Sequence, residues 1–182
     1  WQGRVNLGHV TKLAVMTDGA LRDHAAMLAQ ARVAATALPA TDLYLNGMDQ
    51  GHRAPRGVAP LHLLEGVTVA VATNNVMNPF TPYGDCSLLR MANLYANVMH
   101  LGASEFAACL RMITDGPARI LRVADYGLSV GDRADLIVLD AATAEDGLAT
   151  IAAPLMGFKA GRQSFHRPAA RLLRPVAGAL PS

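Results

Sequence analysis

The chain has 182 residues, 52% of them hydrophobic and only 16% charged. That composition suits a globular chain with a sizeable core and excludes disorder. Sixteen Lys and Arg against fourteen Asp and Glu leave a net charge of +2, too small for a nucleic-acid partner, and no basic stripe carries interleaved aromatics.

Residues 4–9, RVNLGH, read as a short strand. Thr17 or Asp18 then caps a helix in which Leu21, Ala25, Leu28 and Ala29 keep helical spacing. The apolar run 31–38 reads as a second strand, ended by Pro39. Residues 46–60 are loop, with Gly, Pro and charge but no period. A short helix follows over 60–65, closed by Gly66. Residues 67–72 are apolar on both faces, as a central parallel strand should be. A strong helix covers 87–100, a second begins at Ser104 as N-cap, and a third takes GPARILR with Pro117 in its first turn. Residues 135–139 read as a buried strand, TAEDGLATIA as weakly helical, and LMGFKAGRQSF as a hairpin around Ala160-Gly161. Met77, Met91 and Met99 read as core fillers.

The fold class is therefore α/β. Strands alternating with helices imply right-handed crossovers and a parallel sheet, with a separate small β element at the end. The basic, Pro- and Ala-rich stretch near the C-terminus reads as a loose solvated tail. Cys86 and Cys109 form no CxxC pattern and read as buried thiols, with one disulfide left open. No apolar run approaches the ~18–20 residues that cross a bilayer. With no secretory leader, no membrane partner and a reducing compartment, a cytoplasmic protein is expected. The opening WQGRVNLGHV, without Met, suggests a sequence that starts inside a longer one.

In such folds ligands bind beyond the carboxyl ends of the strands. Three strand ends deliver polar groups: His9 at the first, Thr41, Asp42, Tyr44 and Asn46 after the second, Asn74 and Asn75 at the third. A histidine at a strand end is either an acid–base group or a hydrogen-bonded loop residue. Asn pairs before a Pro-containing turn either face a ligand or satisfy nearby backbone groups. Phe80 either stacks on a planar ligand or fills a hydrophobic gap. No HxH, HExxH or phosphate-binding glycine loop is present; GLSVGD at 127–132 has the glycines, but a strand follows it and not a helix.

The ordered segments GHVTKLA, ATALPATDLYLNG, TNNVMNPFTPYGD with LLRMANLYANVM, and GPARILRVADYGLSVGDRADLIVLDA resemble the C-terminal half of cytosine deaminase-like amidohydrolases. The resemblance implies strands six to eight of a partial (β/α)8 TIM-type barrel over residues 1–125. An accessory β segment of the composite domain covers 126–165, and a flexible tail 166–182. It also implies metal-dependent hydrolysis of a C–N bond, other than a peptide bond, in a cyclic amidine or amide such as a pyrimidine or triazine. By the match, His9 is the strand-six histidine near the attacking water. Asn74 stands at the family's strand-eight Asp, a metal ligand and proton acceptor. Asn75 faces substrate, and Phe80 covers the ring. His9 and Asn74 are thus the catalytic candidates, Asn75 and Phe80 the substrate-binding ones, and Asp42, Tyr44 and Asn46 rim contacts.

The family's divalent zinc or iron is held by an HxH and a fifth-strand His, which have no counterpart here. An amide carries no charge and takes no proton at neutral pH. These residues alone therefore do not assemble the metal centre. Three readings stay open: metal held by His ligands with another base, a non-catalytic ligand-binding barrel, or an Asn pair that only orders its loop. Three strands cannot close a barrel, so a missing N-terminal half or a homo-oligomer is the expected partner, beside a small heterocyclic substrate.

Overall fold

The structure, a computed structural model, describes residues 3–171 and 173. Of the expected tail, residues 172 and 174–182 lie outside the described residues. Three parallel strands form one sheet in chain order: β1 (Val5–Gly8), β2 (Val33–Ala37) and β3 (Val69–Val71). Val5 stands opposite Val33, and Ala35 opposite Val69. The middle strand is small-residued and buried, which lets elements approach it from both faces.

α1 (Asp18–Ala31) carries the chain from β1 back to β2. Thr17 Oγ1 accepts the Ala20 N–H at 3.4 Å, and Leu21 and Ala25 bury the inner face. Pro39 does more than end β2. It occupies the first turn of α2 (Pro39–Leu45), where its missing N–H costs nothing. Loop 46–60 and a 3-10 turn at Leu61–Leu63 lead to β3. Beyond β3 lie loop 72–86, then α3 (Leu88–Val98), α4 (Phe106–Arg111) and α5 (Asp115–Leu121). Ser87 caps α3 by accepting the Arg90 N–H at 3.2 Å. The core joins Leu21, Leu61, Val71, Met91, Tyr95 and Cys109 across these layers.

A second, antiparallel sheet holds β4 (Leu136–Leu139), β5 (Pro154–Lys159) and β6 (Arg162–His166). α6 (Ala144–Thr150) lies between β4 and β5, and Thr143 caps it by accepting the Asp146 N–H at 3.0 Å. The β5–β6 turn falls at Ala160 and Gly161, with φ of 49° and 71°. Two left-handed residues in a row are what a type I′ hairpin requires. The Asp135 carboxylate braces this turn, accepting from the Lys159 ammonium and from the Ala160 N–H.

Four expectations need correction. Ser104 is not the N-cap. The Glu105 carboxylate instead accepts the Gly102 N–H at 2.9 Å and the Ser104 hydroxyl at 2.8 Å, because a charged acceptor satisfies the free amide better than a hydroxyl. β4 is not buried: Ile137 is 57% exposed. Cys86 is exposed while Cys109 is buried, and both thiols are free. Met77 is exposed at the loop tip, whereas Met91 does fill the core. Among the described residues no helix is long and apolar enough to cross a membrane.

Candidate functional site

β1 ends in two left-handed residues, His9 and Val10, with φ of 67° and 46°. Non-glycine residues, and a β-branched one above all, adopt this region at a cost of about 1–3 kcal/mol. The His9 N–H is still held by the Thr36 carbonyl at 3.0 Å. The twist therefore turns the imidazole across the strand tips without freeing its backbone.

Asp42 lies beneath that ring. His9 Nδ1 stands 2.6 Å from Asp42 Oδ1, and Asp42 Oδ2 accepts the Leu38 N–H at 3.2 Å. Asp42 is 3% exposed. Burial pushes its carboxyl above the usual aspartate range, while the hydrogen bonds from His9 and Leu38 and the His9 charge pull it back. An ionised carboxylate only accepts, so Nδ1 carries the proton and Nε2 presents a lone pair. Asn74 Nδ2 lies 3.3 Å from that Nε2. Asn74 is itself left-handed, with φ of 56°. A hydrogen-bonded chain Asp42–His9–Asn74 thus joins α2 to the ends of β1 and β3. Asp42 fixes the tautomer, so Nε2 can accept a proton wherever a ligand or water takes the place of the Asn74 amide.

Asn75 points elsewhere. Thr73 and Asn75 line a cavity of about 340 Å³ between α2, the loop and α3. Tyr44 and Tyr83 meet edge to face in its wall, ring centroids 6.0 Å apart. Asn78 is the turn-former its sequence suggests: its Oδ1 accepts the Phe80 and Thr81 N–H groups at 3.0 and 3.1 Å. Its Nδ2 donates to Asn75 Oδ1 at 2.8 Å, so the turn also orients Asn75. Phe80 is 58% exposed on the loop. Asn46 Nδ2 donates to the Gly57 carbonyl at 2.8 Å and pins loop 46–60. The hydroxyls of Thr41 and Thr81 meet at 2.6 Å, both buried, and tie the loop to α2. Sequence reasoning missed that tie, which joins residues forty positions apart.

A catalytic metal wants three or more protein ligands. Among the described residues no three His, Cys, Asp or Glu side chains come together to hold an ion. His9 offers one nitrogen, Asn74 a neutral amide, and both Asp42 oxygens are engaged. These residues do not complete a metal centre.

A family model described as "Amidohydrolase family" matches residues 1–164. A pterin deaminase of Rhizobium rhizogenes strain K84 is 35% identical over 144 residues, covering 76% of this chain and 32% of that protein. The 5-methylcytosine deaminase of Klebsiella pneumoniae, solved with 5-fluorocytosine, superposes with a TM-score of 0.86 at 24% identity. That match covers 95% of this chain and 43% of the other. Atrazine chlorohydrolase of Arthrobacter aurescens TC1, complexed with zinc, matches with a TM-score of 0.59 at 25% identity over 89% of this chain and 36% of its own. The chain spans less than half the length of each of these proteins.

Proposed function

The chain belongs to the amidohydrolase family, and on that premise we propose that β1, β2 and β3 are strands six to eight of a (β/α)8 barrel. The mouth of that barrel hydrolyses a C–N bond of a cyclic amidine or amide, such as a pterin, pyrimidine or triazine. Residues 1–125 are the barrel part, 126–165 the accessory β segment and 166–182 the tail. The remaining strands come from a longer polypeptide or a partner chain. The observation that carries this reading is the meeting of His9 and Asn74 at 3.3 Å across the strand tips, with buried Asp42 behind the imidazole.

Once the attacking water displaces the Asn74 amide from His9 Nε2, that nitrogen takes a proton from the water as its oxygen bonds the ring carbon. The same proton then goes to the departing amine nitrogen as the C–N bond breaks. Asp42 holds the charged imidazole between those events. Asn74 hydrogen-bonds the water or the ring, Asn75 reads a ring substituent that reaches into the adjoining cavity, and Phe80 covers the ring's face. The family's divalent metal would need ligands beyond the described residues, and the role given to His9 does not run through it. The relatives named above are deaminases and hydrolases, and they lend no support to a non-catalytic binding barrel.

The test is release of ammonia or amine from pterin, cytosine and an N-alkyl triazine by the longest natural polypeptide carrying these residues. His9→Ala should lower kcat/KM by about a hundredfold or more, the usual scale of a lost general acid–base group. Asp42→Asn should lower kcat with KM nearly unchanged, because it acts through His9. No release from any of the three, or undiminished turnover by His9→Ala, would overturn the proposal.

A further inference from the structure

At the end of the parallel sheet opposite His9 and Asn74, a cavity of about 270 Å³ opens where the strands begin. Its floor is aliphatic, with Leu28, Val33 and Ile120. Its rim carries Arg4, Arg32 and Arg119, and no acidic side chain lines it. Among the described residues none of these three guanidinium groups pairs with a carboxylate.

The plain alternative is helix capping. Arg32 is the C-cap of α1, and Arg119 sits in the last turn of α5. Cations there offset the negative end of a helix. That end is worth roughly half a charge per helix at most, and less for a helix as short as α5. Two such ends against three full positive charges leave about +2 unspent. Arg122, by contrast, is already committed, donating to the Gly3 carbonyl at 2.6 Å.

We propose that this cavity binds a phosphate-type oxyanion, carried by a phosphomonoester whose organic part rests on the aliphatic floor. Guanidinium forks match two oxygens of such a group at once, and the cavity is larger than a bare anion needs.

The experiment is calorimetric titration of the longest natural polypeptide carrying these residues with inorganic phosphate, phenyl phosphate and benzoate. Phenyl phosphate should bind saturably at one site, more tightly than inorganic phosphate or benzoate. Arg32→Gln and Arg119→Gln should each weaken it about tenfold or more, and Arg53→Gln, in the loop, should not. Circular dichroism checks that each variant folds. Should a helix-end variant fail to fold, Arg4→Gln, which caps no helix, carries the same expectation. Absence of saturable binding at millimolar ligand overturns the proposal. So does inorganic phosphate or benzoate matching phenyl phosphate, and so do folded variants that melt earlier yet bind phenyl phosphate like the unaltered chain.

Discussion

Asn74 Nδ2 lies 3.3 Å from His9 Nε2, and the other nitrogen of that imidazole is already held by Asp42 at 2.6 Å. A carboxylate at position 74 would set acceptor against lone pair unless the ring took a second proton. An amide supplies the missing donor, so the neutral residue suits a ring whose tautomer is set from beneath. His9 and Asn74 were legible as a pair because both close strands that the topology points the same way. The role of Asp42 was not legible, since its partner lies 33 positions upstream and no local pattern links them. Away from the site, Tyr95 is fully buried and its hydroxyl meets both the His62 N–H at 3.1 Å and His62 Nδ1 at 3.0 Å. The hydroxyl accepts from the amide, and its own proton is then matched by a neutral Nδ1 as acceptor. Burial lowers the His62 pKa, and the Glu105 charge opposes that shift. The unfolded chain therefore takes its proton first, near pH 6.5. Stability falls as pH drops from there through the lower folded value. In urea melts the unaltered protein should lose stability between pH 7 and 5. His62→Gln, whose amide oxygen still accepts from Tyr95, should lose measurably less. Equal losses would show that His62 is not the responsible group.

α5 crosses β3 at Gly116, where an added Cβ would run into the Val69 carbonyl oxygen and crowd that of Arg111. Alanine is worth up to about 1 kcal/mol over glycine in a helix, but backbone cannot step aside as a flexible side chain can. Overpacking of this kind costs about 1–3 kcal/mol, so the clash wins. Gly116→Ala should lower the urea midpoint. Gly19→Ala, in the first turn of α1 with no neighbouring atom within 4 Å, should leave it equal or raise it slightly. A Gly116→Ala protein as stable as the parent would mean that α5 does not sit against β3 as described. Sequence made the capped helices α1 and α3 legible, because Thr17 and Ser87 stand directly before periodic apolar runs. It also marked β1 to β3 and the Ala160-Gly161 hairpin. β4 misled because a run such as LIVL reads the same whether or not other residues of the chain cover its second face.

In the three-stranded parallel sheet β1 pairs only with β2, so its outer edge has no strand partner among the described residues. The other edge is partly closed, since the Val71 N–H donates to the Met112 carbonyl at 2.8 Å. Leu7 on β1 is 39% exposed, and the outward Ile137 adds a second apolar site on the other sheet. An unpaired, partly apolar edge is a template for another strand. The chain covers 43% of the 5-methylcytosine deaminase it superposes on, and further barrel strands, in the proposed function, are what such an edge would take. Without them, copies of the 182-residue chain should compete for the same edge. Sedimentation velocity over a range of about 2–200 µM should show mass rising above the 19.2 kDa of one chain. Leu7→Lys places a desolvation-averse charge on β1, the device by which natural edges stay single. It should shift the association to higher concentration while leaving the far-ultraviolet spectrum unchanged. A single 19.2 kDa species at every concentration would mean that the β1 edge is already satisfied, and the argument for a strand partner there would fall.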